Sequence, residues 1–329
     1  MINEAIYIYI IVSLAVALAY GIATLCVIRS RRKADQRQSL TRHYLREIIS
    51  SHLGTNSLPT LSDIALSDHP TPSIEATGDQ PRAALCEAIY RAMSHTYAIP
   101  NQLIAPIAKE HHLEEFLLRR LRRASNAGRV QLLNTLSAIP LKHNTIQQLT
   151  RYLYSPCRHI RIAALVAILA ASPATAIRTL SELPYELAPY DMSRIITLLR
   201  RGLLPIAYEP LLASDNHNLL MLGIAIVASF GIEIADRHLY RIVEEHHTPQ
   251  LVSEAILALA LLGSPLNHPP LRQRIEQMTP IHRRELCHHL SCEGYSTSAL
   301  RGLFSEGEIS LAEPLINSYK RNLVWQQSL

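Results

Sequence analysis

Between Ala5 and Ile28 the chain runs for 24 residues without a charged side chain, AIYIYIIVSLAVALAYGIATLCVI. As a helix rising about 1.5 Å per residue, such a run measures about 36 Å, enough to cross a hydrocarbon core of about 30 Å with some tilt. Ser13 and Thr24 can return their hydroxyls to the helix backbone, and Tyr7 and Tyr9 lie near one end, where amphipathic rings favour the interface. A cleaved secretory signal is the competing reading. It fits poorly, because no basic residue precedes the run and the run exceeds a typical signal core. The residues therefore predict a transmembrane anchor over 1–28.

The charge that follows orients the anchor. Arg29, Arg31, Arg32, Lys33, Arg37, Arg42 and Arg46 face a single acid, Asp35, so this stretch carries a net +6 while the whole chain carries +5. The remaining residues therefore sum to −1. Basic flanks stay on the cytoplasmic side, which predicts a single-pass protein of the bacterial inner membrane with its N-terminus outside and its C-terminal body in the cytoplasm. Arg29, Arg31, Arg32, Lys33 and Arg37 are the expected membrane-surface contacts. They attract anionic lipid headgroups with about 1 kcal/mol per residue near the surface. A near-neutral body gives no reason to expect specific nucleic-acid binding. Arg119, Arg120, Arg122 and Arg123 form one local exception, readable as a solvated helix face or as an anion contact. Five scattered cysteines without framework spacing suit reduced cytosolic thiols.

Composition then limits the body. Hydrophobic residues are 48 % and aromatics only 5 %, and the apolar content is mainly Leu, Ile and Ala. That mixture suits helices and argues against an all-β fold. Residues 29–80 read as a basic juxtamembrane helix, with Leu40, Tyr44, Leu45 and Ile48 on one side, followed by a linker rich in Pro, Ser and Thr. Residues 81–329 read as a helical body, opened by Pro81 as a first-turn proline.

The body recurs on itself. Apolar segments begin at Val130, Ile160, Met192, Leu219, Leu251, Ile281 and Ile309, at intervals of 30, 32, 27, 32, 30 and 28 residues. Shorter amphipathic stretches such as Ile146 to Tyr154 and Leu239 to Glu245 lie between them. Prolines and glycines, among them Pro173, Pro249, Gly231 and Gly263, punctuate the turns. A period near 30 residues built from two antiparallel helices is what stacked helical hairpins require, because one hairpin alone cannot bury its apolar face. In this frame His159-Ile160-Arg161-Ile162-Ala163-Ala164-Leu165-Val166-Ala167-Ile168-Leu169 resembles the second-helix pattern of the HEAT-repeat family. The resemblance covers Val130 to Ile316 and extends more loosely over Pro81 to Ser125. Arg161 matches the family's basic position, while Gln131, Ser193, Leu220, Val252, His282 and Ser310 depart from it. Glu285 and Glu313 replace the expected Ala, as suits a capping end. The resemblance implies an all-α body, a right-handed HEAT-like α-solenoid of about seven hairpins, which the predicted N-terminal transmembrane helix precedes.

No reaction announces itself. The chain lacks a glycine-rich phosphate loop, a dinucleotide fingerprint and a nucleophile elbow. His288 and Cys292 stand four apart on one predicted helix, but no second ligand pair has zinc spacing. The expectation is a non-enzymatic protein without metal, cofactor or small-molecule substrate, acting as a membrane-anchored scaffold or accessory subunit for other, membrane-associated proteins. The candidate partner contacts are polar residues that open the second helices: Arg158, Arg161, Asn216, His217, Asn218, Gln250, Ser253, Glu254, Arg283 and Arg284. The rival expectation is a membrane-tethered enzyme or nucleic-acid-processing protein on the same solenoid. A strongly basic groove or a buried cluster of ionisable groups would favour it.

Overall fold

The computed structural model describes the backbone of residues 2–54, 74–95 and 101–327, and most side chains from residue 18 onward. The chain is all-α: among the described residues there are helices and turns and no strand. It divides into two compact units, residues 1–171 and 172–329.

The first unit holds α1 (Ile2–Gly54), α2 (Asp79–His95), α3 (Asn101–Glu110), α4 (Leu113–Arg123), α5 (Asn126–Leu136), α6 (His143–Thr150) and α7 (Arg158–Ala171). The second holds α8 (Ala176–Ser181), α9 (Pro189–Arg200), α10 (Glu209–Leu212), α11 (His217–Phe230), α12 (Asp236–Glu245), α13 (Pro249–Leu261), α14 (Pro269–Gln277), α15 (Pro280–Cys292), α16 (Thr297–Leu300) and α17 (Glu306–Gln327). Each of the seven recurring apolar segments starts within the first turns of one odd-numbered helix, from α5 to α17.

α1 runs without a break from the apolar stretch into the basic one. Residues 2–17 fall outside the described side chains, and so does the first part of the predicted span. Among the described residues no single helix is long and apolar enough to cross a membrane. The described end of the run is nonetheless open on its surface: Leu18, Tyr20, Ile22, Leu25, Val27 and Ile28 are all exposed. The Thr24 hydroxyl donates to the Tyr20 carbonyl at 2.8 Å, returning its polarity to the helix. Further along, α1 packs on α2. Thr41, Tyr44 and Ile48 are buried there, and the Tyr44 hydroxyl donates to the Glu75 carbonyl at 2.9 Å. Of the predicted linker, residues 55–73 lie outside the described residues, while Ile74 and Ala76 are buried.

Within the second unit, neighbours in sequence are neighbours in space. α9 packs on α11, α11 on α13, α13 on α15 and α15 on α17, while α12 lies against α13 and α14. The two sets of helices differ in the way this arrangement demands. α11 and α13 are apolar almost all round and lie between neighbours, with Leu219, Leu222, Val227, Ala255 and Leu259 buried. α12 buries only Leu239, Ile242 and Val243, one stripe at helical spacing, and turns the rest outward. Each fully buried Leu or Ile contributes about 1.5–3 kcal/mol through its removal from water.

One stop signal ends four of these helices. Gly202, Gly231, Gly263 and Gly294 all have positive φ. At each, the following N–H reaches back five residues: Leu203 to Leu198, Ile232 to Val227, Ser264 to Leu259 and Tyr295 to Leu290, at 3.0–3.1 Å. This is the Schellman closure of a helix C-terminus, which glycine permits because it has no Cβ to clash in the left-handed region. The same closure returns after α9, α11, α13 and α15, so the period near 30 residues exists in backbone geometry as well as in composition.

Candidate protein-binding groove

Three of the stacked helices bound an open groove of about 360 Å³ in the second unit. α9 contributes Pro189, Met192, Ser193, Ile196, Thr197 and Arg200, a stripe at three- and four-residue steps. α11 contributes Met221, Ile224, Ala225, Ala228 and Ser229, and α13 contributes Glu254, Leu257, Ala258 and Leu261, again one stripe each. Small side chains on the middle helix create the depression: Ala225, Ala228 and Ser229 leave space that larger residues on α9 and α13 do not fill. Its floor is apolar, and its polar groups come from Ser193, Thr197, Arg200, Ser229 and Glu254. Leu261 is 43 % exposed at the groove, and Tyr190 and Phe230, next in sequence to Pro189 and Ser229, are 52 % and 47 % exposed.

Two of the groove's ionisable groups behave differently. The Arg200 guanidinium donates to the Ser229 carbonyl at 3.4 Å and ties the ends of α9 and α11. Glu254 is half-buried, and burial pushes its carboxyl above the ordinary value, although His289 on α15 acts in the opposite direction.

The residues predicted to meet a partner have mixed surroundings. Gln250 and Arg284 are exposed, and Ser253 and Glu254 are half-buried. His217 stands 3.9 Å from Glu186. Others are used on the chain itself. Asn216 caps α11, its side-chain oxygen accepting from Asn218 and Leu219 N–H, while its amide donates to the Ser181 carbonyl at 3.2 Å. Asn218 is 5 % exposed and ties the preceding loop: it accepts from Leu187 N–H at 2.8 Å and donates to the Tyr185 carbonyl at 3.0 Å. Arg161 donates to the Ser155 carbonyl at 3.0 Å, and Arg158, exposed at the start of α7, is engaged as well. Arg283 reaches the Leu303 carbonyl at 3.2 Å and the Glu308 carboxylate at 3.1 Å. Of the whole predicted set, only Glu254 lines the groove.

Of the membrane-surface set, Arg29, Arg31, Arg32 and Lys33 are exposed, and Arg37 pairs with Glu87 at 2.8 Å. No group of three or more His, Cys, Asp or Glu with metal-site geometry occurs among the described residues. Cys287 is buried, its thiol pushed up to about 11 chiefly by that burial, and Cys292 lies 3.9 Å from His288. The cysteines are free, as reduced thiols are.

Sequence reasoning passed over Met192, Ser193, Thr197, Ala225 and Ala228. The signal that could have found them is the row of small residues Ala225, Ala228 and Ser229 at helical spacing in a helix otherwise filled with Leu and Ile. Compared with models of known families, with curated proteins and with solved structures, the chain matches none.

Proposed function

We propose that this chain is a non-enzymatic, membrane-anchored scaffold or accessory subunit, presenting a HEAT-like α-solenoid to protein partners on the cytoplasmic face. The observation that carries this reading is the recurrence, helix after helix, of one packing order and one Schellman closure in the second unit. A linear stack of this kind yields an extended ridged surface, and its apolar-floored groove between α9, α11 and α13 suits one helix or loop of a partner. Exposed apolar side chains from Leu18 to Ile28 and the basic residues after them support the anchor. Tethering confines the stack to the membrane surface and raises its effective concentration toward partners held there.

The test is purification of the tagged full chain from native membranes in mild detergent, beside the variant Ala225→Trp, which fills the groove. The wild type is expected to carry one dominant companion at constant ratio. The variant, with unchanged helicity, is expected to lose most of it. A chain recovered alone, or a companion retained by the variant, contradicts the reading.

A further inference from the structure

A second groove lies in the first unit, between α1, α2, α4 and α5, formed by two overlapping cavities of about 720 and 760 Å³. Its lining is strongly cationic. Lys33, Arg37, Arg91, Arg119, Arg120 and Arg123 face it against only two carboxylates, Asp79 and Glu87. Glu87 is already engaged with both oxygens: one accepts from Arg37 at 2.8 Å and the other from Arg91 at 2.6 Å. Among the described residues, Arg119, Arg120 and Arg123 form no ion pair with Asp79, Glu87 or another acid. Arg120 is held over the Phe116 ring, 5.5 Å from its centroid, so its guanidinium is positioned without being neutralised.

Chemistry at the floor points to binding and not to reaction. Cys86 is buried beneath these charges, and burial pushes its thiol up to about 12 even though Arg120 and Arg37 act in the opposite direction. Such a thiol is protonated and inert at neutral pH. What remains is a cluster of planar, bidentate donors suited to phosphate oxygens.

Position selects among phosphate sources. Lys33 lies five residues beyond Ile28, about 7.5 Å along the helix axis, and a headgroup layer is about 5–8 Å deep on each side of the hydrocarbon core. A span ending at Ile28 thus brings the Lys33 edge of the groove to headgroup depth. We infer that this groove is a binding site on the folded body for the phosphate-bearing headgroup of an anionic phospholipid, with Arg119, Arg120 and Arg123 as the discriminating residues. The inference rests on the anchored reading above. It goes beyond the attraction of the collar, because the α4 arginines belong to the helical body and not to the juxtamembrane run.

The experiment titrates the full chain, in neutral detergent micelles, with fluorescent phosphatidylglycerol or phosphatidylcholine. Wild type is expected to prefer phosphatidylglycerol by about tenfold or more. The triple variant Arg119→Gln, Arg120→Gln, Arg123→Gln is expected to lose that preference, and so is Gln131→Glu, which adds a carboxylate to the groove with little risk to folding. The collar variant Arg29→Gln, Arg31→Gln, Arg32→Gln is expected to keep most of it. Unchanged preference in the groove variants overturns the proposal. So does displacement of the lipid by equal concentrations of glycerol phosphate, which would mark a site for free anions, or by polyglutamate at lower concentration, which would mark a site for an acidic protein. Because binding is read in micelles, failure of the anchor appears separately, as release of the wild type from membranes by alkaline carbonate.

Discussion

Glu308 shows how single residues hold successive hairpins together. Its carboxylate accepts from the Ser305 N–H and hydroxyl, both at 2.8 Å, and from Arg283 of α15 at 3.1 Å. Burial works against the charge, but the Ser305 hydrogen bonds and the nearby Arg283 and Arg284 outweigh it, and the carboxyl sits below its ordinary 4.5. Its stabilising contribution is therefore complete above the ordinary value and is lost as pH falls through the lowered one. Glu308→Gln is expected to lower stability by about 1–3 kcal/mol at neutral pH, with the difference from wild type shrinking below about pH 4. Thermal melts of the two proteins across that range check it, and a gap that persists into acid would contradict it. The same logic explains why several of the polar residues predicted as contacts, Arg161, Asn216, Asn218 and Arg283 among them, bond to the chain itself. A helix start lies beside the carbonyls of the preceding loop, and Asn218 or Arg161 meets those carbonyls before it can meet a partner. Sequence gives the residue type at the helix start but not the path of the loop, so the two uses look alike until the loop is placed.

At the scale of elements, the helices were legible because their signals are local. Apolar periodicity, Pro at a first turn, as in α9, α13 and α15, and Gly after a last turn act over a few residues each. What depends on distant pairing was less so. The Tyr44 hydroxyl of α1 reaches Glu75, just before α2, across 31 residues of sequence, much of it polar, and nothing in the intervening stretch announces the return. The groove was illegible for a related reason: its three stripes are ordinary helix faces until α9, α11 and α13 stand side by side. Close approach can be tested at Gly223. A Cβ there would come within 2.8 Å of one Leu212 methyl and 3.1 Å of the Leu211 Cβ. Gly223 is thus the point where α10 lies on α11. Gly223→Val is expected to destabilise by about 1–3 kcal/mol through overpacking, opposite in sign to the helix-propensity gain of removing a glycine. Urea unfolding measures it, and unchanged or increased stability would show that the contact gives way easily.

At the scale of the whole molecule, the account joins an apolar rod, a basic collar and a helical body. The exposed row from Leu18 to Ile28 lacks protein cover among the described residues, and it precedes the stretch from Arg29 to Arg46 with its seven basic residues and single acid. A protein that keeps such a row in water carries a lasting aggregation hazard, whereas a bilayer removes it. In the proposed reading, the groove between α9, α11 and α13 selects what is held, and the cationic groove fixes the body against the lipid. Alkaline carbonate extraction of intact membranes measures the shared premise most directly. The account predicts that the full chain stays with the membrane pellet, and that it moves to the supernatant when Leu18, Ile22 and Leu25 are replaced by Glu. Release of the wild-type chain into the supernatant would contradict it.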